Sequence, residues 1–279
     1  MTDGFVQPAA KEGAPINEAE AIARLRQTVN PSDQYYAAWW LGRMRSRHPD
    51  TIPLLRDRLG RYRCDPTSGD VDANAVALNS ARALGRIKAE ASIPDLIHAV
   101  AIGGYHLREV AAQSLGDLKA EAAVPALCQQ LRLDSELFNK ESALNQQKLG
   151  RILEALLEAL GAIGDQSEAV VAVIQPFAQH ERPLVSSAAC RALLQLTQEP
   201  RWAEPIEALL GHTSVLIRRG ALLDLGAAGW MPSLPAIQAT QAENSLKLIA
   251  LKGLAEQARR DQANEKSITA VLAAMDALL

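Results

Sequence analysis

Seven segments of this chain fit one pattern: YYAAWWLGRM from 35, LNSARALGRI from 78, EVAAQSLGDL from 109, EALLEALGAI from 154, SAACRALLQL from 187, RGALLDLGAA from 219 and LIALKGLAEQ from 248. A leucine recurs at 41, 84, 115, 160, 193, 225 and 254, and glycine follows it in five of the seven. Four residues earlier stand Ala37, Ser80, Ala111, Leu156, Ala189, Ala221 and Ala250. Positions i and i+4 share one face of an α-helix, so each segment carries a stripe that lets a neighbouring helix come close. A second amphipathic segment follows most of them and often opens with proline, as in TIPLLRDRL, SIPDLIHAV, AVPALCQQL, AEPIEALL and SLPAIQAT. Proline suits a first helical turn, where its missing N–H has no partner to lose.

The leucines are spaced by roughly 30–33 residues, and by about 43–45 in two longer units, which is the range of stacked helical pairs. A single pair cannot bury its apolar face; a stack of them can. The expected fold is all-α, a right-handed superhelix (α-solenoid) of HEAT-like repeats. A globular bundle is the weaker alternative, because it has no reason to repeat a motif. We expect residues 1–15 to form a flexible tail and 16–279 to form one array of about six to seven helical pairs. Insertions are expected near 61–75, rich in Pro, Gly and Asp, and near 132–148, which is polar and irregular. Such insertions emerge on one face and often bind something, a tolerated surface loop being the other reading.

Charge and cysteine usage exclude several classes. Net charge is −3 and no basic run is present, which argues against nucleic acid or an anionic membrane as partner. Cys64, Cys128 and Cys190 are far apart, without a C-x-x-C pair or zinc-type spacing, so a reduced, cytoplasmic setting is the simple reading. The start lacks the pattern of a signal peptide and no apolar run is long enough to span a bilayer. No catalytic triad, metal cluster or phosphate-binding glycine loop is visible.

One place in the repeat is anomalous. Of only four Trp and four Tyr, two of each fall at Tyr35, Tyr36, Trp39 and Trp40. On a helix, Ala37, Ala38 and Leu41 form the repeat stripe, the four rings occupy the opposite arc, and Arg43 falls among them. At the place of Trp39 the other units carry Arg82, Gln113, Glu158, Arg191, Leu223 and Lys252; at the place of Trp40 they carry Ala83, Ser114, Ala159, Ala192, Asp224 and Gly253. We read both places as a wet face where the shared core needs no bulk, so the rings await a flat apolar ligand or another protein. The opposing reading packs them under the first helix, NEAEAIARLRQTV, where Asn17 and Glu20 suggest a capping box.

YYAAWWLGR at 35–43 resembles the signature of the E subunit of the E/F-type phycobilin lyases. GGYHLREVAAQSLGDL (103–118), RRGALLDLGAAGWMP (218–232) and ENSLKLIALKGL (243–254) are similar to three more blocks of the same family. The resemblance spans about 17–256 and implies a lyase that acts as a heterodimer with an F-type subunit, also built of such repeats. The substrates it implies are phycocyanobilin, a linear tetrapyrrole, and the apo-phycocyanin α subunit, whose cysteine receives the bilin as a thioether. No permanently bound cofactor and no metal are implied. The Asn-His-Cys motif of isomerising F-type partners is absent from this chain.

A bilin needs flat apolar surface, cations for its two propionates and an acid near its pyrrole nitrogens. Tyr35, Tyr36, Trp39 and Trp40 are candidates for the first. Arg43, Arg108, Arg218, Arg219 and Lys247 are candidates for the second. Asp224, at the place of Trp40, is the candidate acid that makes the exocyclic ethylidene more electrophilic toward the acceptor's thiolate. Each has a plainer reading: Asp224 paired with Arg218 or Arg219, Arg108 with Glu109, His106 solvated, Asn244 or Ser245 as a helix cap, Cys128 and Cys190 in the core. A lyase or lyase-isomerase subunit for another bilin, and a non-catalytic adaptor that grips phycobiliproteins, are the functional alternatives.

Overall fold

The structure is a computed structural model that describes residues 16–63, 71–260 and 265–279. Among these residues there are fifteen α-helices and no strand. They are α1 (Glu18–Arg26), α2 (Pro31–Arg43), α3 (Thr51–Gly60), α4 (Val71–Arg86), α5 (Ile93–Ile102), α6 (Tyr105–Leu118), α7 (Val124–Phe138), α8 (Ala143–Ile163), α9 (Glu168–Ile174), α10 (Pro183–Thr197), α11 (Ala203–Leu209), α12 (Val215–Ala228), α13 (Leu234–Ala239), α14 (Asn244–Arg260) and α15 (Glu265–Asp276). The seven repeat segments are the even-numbered helices α2 to α14. Each packs along the next to form one layer, and the odd-numbered helices form the other. Even-numbered neighbours touch extensively, whereas odd-numbered neighbours touch at few points. The result is a two-layered α-solenoid.

The stripe read from the sequence is the core. All seven repeat leucines are 0% exposed, and the residues four places before them are 0–1% exposed. Each junction repeats as well. Arg45, Lys88, Lys119, Gly164 and Gly229, each four residues after a repeat leucine, have φ between 51° and 89°. In the fifth unit Gln198 takes that conformation one residue later, with φ 56°. A left-handed residue stops a helix and turns the chain back, and most units then use a short 3-10 turn to enter the next helix.

The two insertions fare differently. Residues 132–148 are mostly helix: α7 continues to Phe138, which is buried, and α8 starts at Ala143. The polar stretch is thus two lengthened helices, anchored by one aromatic ring. In the other, Arg61–Arg63 leave α3 and Val71 already begins α4. Residues 64–70, with Cys64, and the expected tail 1–15 lie outside the described residues.

Candidate functional site

Relative to the repeat leucine, the residue two places earlier stays on the open side of the even-numbered layer in every unit. Trp39, Arg82, Gln113, Leu223 and Lys252 are exposed there, and Glu158 and Arg191 half-buried. At the amino end this column and its neighbours make a cleft of about 240 Å³ lined by Tyr35, Trp39, Asn79, Arg82, Ala83 and Arg86. Tyr35 and Tyr36 are each 45% exposed and Trp39 41%, so these three rings are not packed beneath α1. Tyr36 and Trp39 stack on each other with centroids 5.4 Å apart. Arg43 and Arg86, both exposed, hold no hydrogen bond or ion pair among the described residues. Asn79 donates to the Tyr35 carbonyl (3.1 Å) and accepts from Arg82 (3.3 Å), which fixes the cleft floor. Arg82 and Arg86 are the functional candidates that sequence reasoning missed. Their signal was there, since Arg82 stands at the place of Trp39 in the next unit.

The place of Trp40 is not a wet face, and here the sequence expectation is corrected. Ala83, Ser114, Ala159 and Ala192 are 0–3% exposed. Each meets the glycine that follows the leucine of the preceding unit. A methyl group on Gly42 would stand 2.7 Å from the Ala83 Cα, one on Gly116 2.9 Å from Ala159, and one on Gly161 2.8 Å from Ala192. The column is small because backbones meet there, and Ser114 donates across the same seam to the Ala81 carbonyl (2.9 Å). α2 has no earlier even-numbered helix to meet, so bulk is allowed in the first unit. Trp40 uses that space, half-buried against the core.

Most of the other candidate cations are already engaged. Arg108 is 9% exposed, donates from Nε to the Val100 carbonyl (2.9 Å) and forms an ion pair with buried Asp134. It is a clamp between α5, α6 and α7, unavailable to a propionate, and Glu109 pairs instead with Arg151 (2.8 Å). Arg218 donates to the carbonyls of His212 (2.7 Å) and Thr213 (3.0 Å). Arg219 pairs with Glu243 on an exposed surface, and Lys247 donates to the Gln238 carbonyl (2.7 Å). Of the plainer readings, Asn17 does cap α1, accepting from Glu20 N–H (2.9 Å), but the Glu20 carboxylate turns to Arg24, so the box is half made. His106 is exposed, Cys190 is buried and Cys128 is half-buried. Asn244 is the first residue of α14 and ties it to the Leu278 carbonyl (2.8 Å).

Asp224 is the second correction. It occupies the Trp40 column, is 6% exposed, and faces the seam between α10 and α12. There the preceding unit carries Leu194 in place of glycine, and Asp224 reaches back to accept from Ser187 Oγ (2.5 Å) and to pair with Arg191 (3.3 Å). Its partners are neither Arg218 nor Arg219. Arg191 in turn approaches Glu158 at 3.5 Å. Burial pushes the carboxyls of Asp224 and Glu158 upward, while Arg191 opposes the shift in both. Glu154, one turn before Glu158 and in the column of Tyr35, is pushed up to about 7 by burial and then by the negative charge of Glu158. Glu158 and Arg191 also line an open cavity of about 290 Å³ with Gln113, Gly116, Asp117, Ala159 and Ala162. The open face thus carries rings and cations at one end, and Glu158 and Arg191 of a largely buried charge network further along.

Known proteins share the sequence and the fold of this chain. Residues 33–61 match the model of the PBS lyase HEAT-like repeat, and 70–146 match HEAT repeats. The bilin biosynthesis protein RpcE of a Synechococcus strain is 52% identical over 266 residues, covering 95% of this chain and 96% of that protein. The phycocyanobilin lyase subunit alpha of Synechocystis is 39% identical over 249 residues, 89% of each. The solved complex of CpcE and CpcF of phycocyanin lyase from Nostoc contains a chain with a TM-score of 0.78 at 36% identity, covering 100% of both chains.

Proposed function

This chain belongs to the family of phycocyanobilin lyase alpha subunits, and on that premise we propose that it is one subunit of a heterodimeric bilin lyase. With an F-type partner it attaches phycocyanobilin, as substrate, through a thioether to a cysteine of the phycocyanin α subunit, in the cytoplasm. The observation that carries the reading is the amino-end cleft, where exposed rings stand beside Arg82 and the unpaired Arg86. Tyr35, Tyr36 and Trp39 offer the flat surface, and Arg43, Arg82 and Arg86 offer cations for the propionates. The cleft, at about 240 Å³, is smaller than the roughly 300–1,000 Å³ of ordinary ligand sites. The partner subunit supplies the missing wall. The enzyme then works by holding bilin and thiol in one orientation, which converts an unselective encounter into a directed one.

A second reading has a specific observation behind it. The 52% identical relative is named only as a bilin biosynthesis protein, which leaves room for another bilin, with or without isomerisation. The non-catalytic adaptor predicts no bilin binding at all. Reconstitution separates the three. This chain, an F-type partner, a bilin source and the apo-α subunit are co-expressed, and the covalent product is identified by its absorption. We expect coloured α subunit that disappears when this chain is omitted. Trp39→Ala and Arg82→Ala weaken bilin binding about tenfold each without altering the melting temperature. A normally coloured product from either variant removes the cleft from the site.

A further inference from the structure

Four of the eight residues 56–63 (RDRLGRYR) are arginine, interspersed so that no unbroken basic run forms. The fold gathers three of them. Arg58 and Arg61, three residues apart at the end of α3, and Arg63 just beyond line a cavity of about 400 Å³ together with Thr28, Gln34 and Val76. The fourth, Arg56, pairs with Asp95 of α5 (2.5 Å). The hollow is larger than the amino-end cleft and falls within the roughly 300–1,000 Å³ of ordinary ligand sites. Its rim is tied down: Arg63 N–H donates to the Asn74 side chain (2.9 Å), and Asn74 donates back to the Arg63 carbonyl (2.8 Å).

Charge in this cavity is out of balance. Arg58 is 3% exposed and anchors the end of α1, donating from Nε and Nη2 to the Leu25 carbonyl (3.0 and 2.7 Å) and from Nη2 to those of Arg26 and Gln27 (3.1 and 3.3 Å). Its Nη1 is buried without a hydrogen bond among the described residues. A carboxylate oxygen of Asp57 stands 3.1 Å from that atom, outside hydrogen-bonding geometry, and also pairs with Arg61 at 3.0 Å. Arg63 directs its Nη1 to the uncharged carbonyls of Gly60 and Tyr62 (3.2 and 2.9 Å). Three guanidiniums therefore share one carboxylate. Burial, and then the charge of Arg61, pushes the Arg58 guanidinium downward from its ordinary value, and Asp57 opposes this only in part. A buried charge without a full set of partners is costly, and an anion in the hollow would supply what Asp57 does not.

We propose that this cavity is an oxyanion site for a carboxylate or phosphate group, with Arg58 as its fixed wall and Arg61 and Arg63 as its arms. Guanidinium forks suit both groups. Two sources carry this chemistry: inorganic phosphate, and a propionate of the chromophore, the second resting on the lyase reading above. Reach permits the second. Gln34 lines this cavity and its neighbour Tyr35 lines the amino-end cleft; Val76 and Asn79, three residues apart on α4, are divided in the same way. Along α2 and α4 the two linings thus stand within one helical turn, about 5 Å, a small part of the length of a tetrapyrrole.

The test is calorimetric titration of the full chain, alone and with the F-type subunit, with inorganic phosphate. Binding of phycocyanobilin to the same complex is compared with that of its dimethyl ester, whose propionates carry no charge. The variants are Arg61→Gln, Arg63→Gln, Arg61→Lys and Asp57→Asn; Arg58 is left intact because it anchors α1. We expect phosphate to bind, and less tightly as salt rises. Arg61→Gln and Arg63→Gln weaken binding about tenfold each, as loss of a charge-assisted hydrogen bond does, with helix content and melting temperature unchanged by circular dichroism. Arg61→Lys recovers part of the loss. Asp57→Asn tightens binding several-fold, because it removes the carboxylate that competes for the same guanidiniums. An ester that binds tenfold or more weakly than the free bilin, with the gap closed in Arg61→Gln, assigns the site to a propionate. Phosphate binding with equal affinities for bilin and ester assigns it to a free anion. Absence of phosphate binding together with equal affinities for bilin and ester overturns the proposal, and so do affinities that none of the variants changes. Failure of the unaltered complex to bind bilin or to give covalent product overturns the lyase reading instead, and the phosphate titration still decides the site.

Discussion

At the scale of single residues, charge is what the sequence conceals most. Arg108 finds Asp134 across 26 positions and Arg191 finds Asp224 across 33. Reading along one helix offers only near neighbours, Glu109 beside Arg108 and Arg218 six places before Asp224, and neither of those pairs forms. The rings were legible, because four aromatics in six positions violate the pattern of every other unit; only the burial of Trp40 depended on knowing that α2 begins its layer. Glu154 provides the sharpest check at this scale. Its carboxyl is raised from the ordinary 4.5 to about 7, so the folded chain holds the proton more tightly than the unfolded chain. Stability is therefore full below about pH 4.5 and falls as pH rises toward 7, the sense opposite to a salt-bridged carboxylate. Each pKa unit is worth about 1.4 kcal/mol, which makes the cost at pH 8 on the order of 2–3 kcal/mol after allowing for half-burial. Glu154→Gln should melt higher than the parent at pH 8 and about equal to it at pH 4.5, as followed by circular dichroism.

At the scale of helices, the repeat leucine, the small residue before it and the proline openings predicted nearly every element. The contact between units did not follow from them. Aligning repeats tells which positions are equivalent, but not which equivalent positions touch across a stack. That is why the Trp40 column looked solvated: alanine and serine are as common on a wet surface as at a close backbone crossing. The glycine after the leucine was visible in the sequence, and its role emerges only when the next helix is laid against it. Gly116→Ala tests the seam, since its new methyl would stand 2.9 Å from the Ala159 Cα and 3.3 Å from its Cβ. Overpacking of this kind costs about 1–3 kcal/mol. Gly60→Ala, where no atom lies within 4 Å, should be close to neutral in the same urea titration.

At the scale of the whole molecule, the apolar interior falls into a large cluster from Ala21 to Leu196, a smaller one from Cys190 to Ala274 and a minor one of Leu194, Ala203 and Ala228, each packed against Trp202. Repeat arrays are held together mainly by neighbours. A chain ending at Thr213 should thus stay helical and melt cooperatively, at a lower temperature. It would keep Tyr35, Trp39, Arg82 and Arg86 of the amino-end cleft, so bilin binding should persist in a chain that remains folded. Circular dichroism and a bilin titration read the two outcomes separately, and collapse of the helical signal would show that the clusters are one unit. The glycine crossings bear on the molecule in another way. Each acts as the pin of a hinge whose clearance is copied from joint to joint, so a slight tilt at one pin grows along the arm beyond it. Gly116 lies on α6, between α4 and α8, and widening its crossing with Ala159 should swing α8 and the units beyond it away from the aromatic end. The gauge of the groove, and hence the length of chromophore it can grip at both ends, is set by residues that never meet the chromophore.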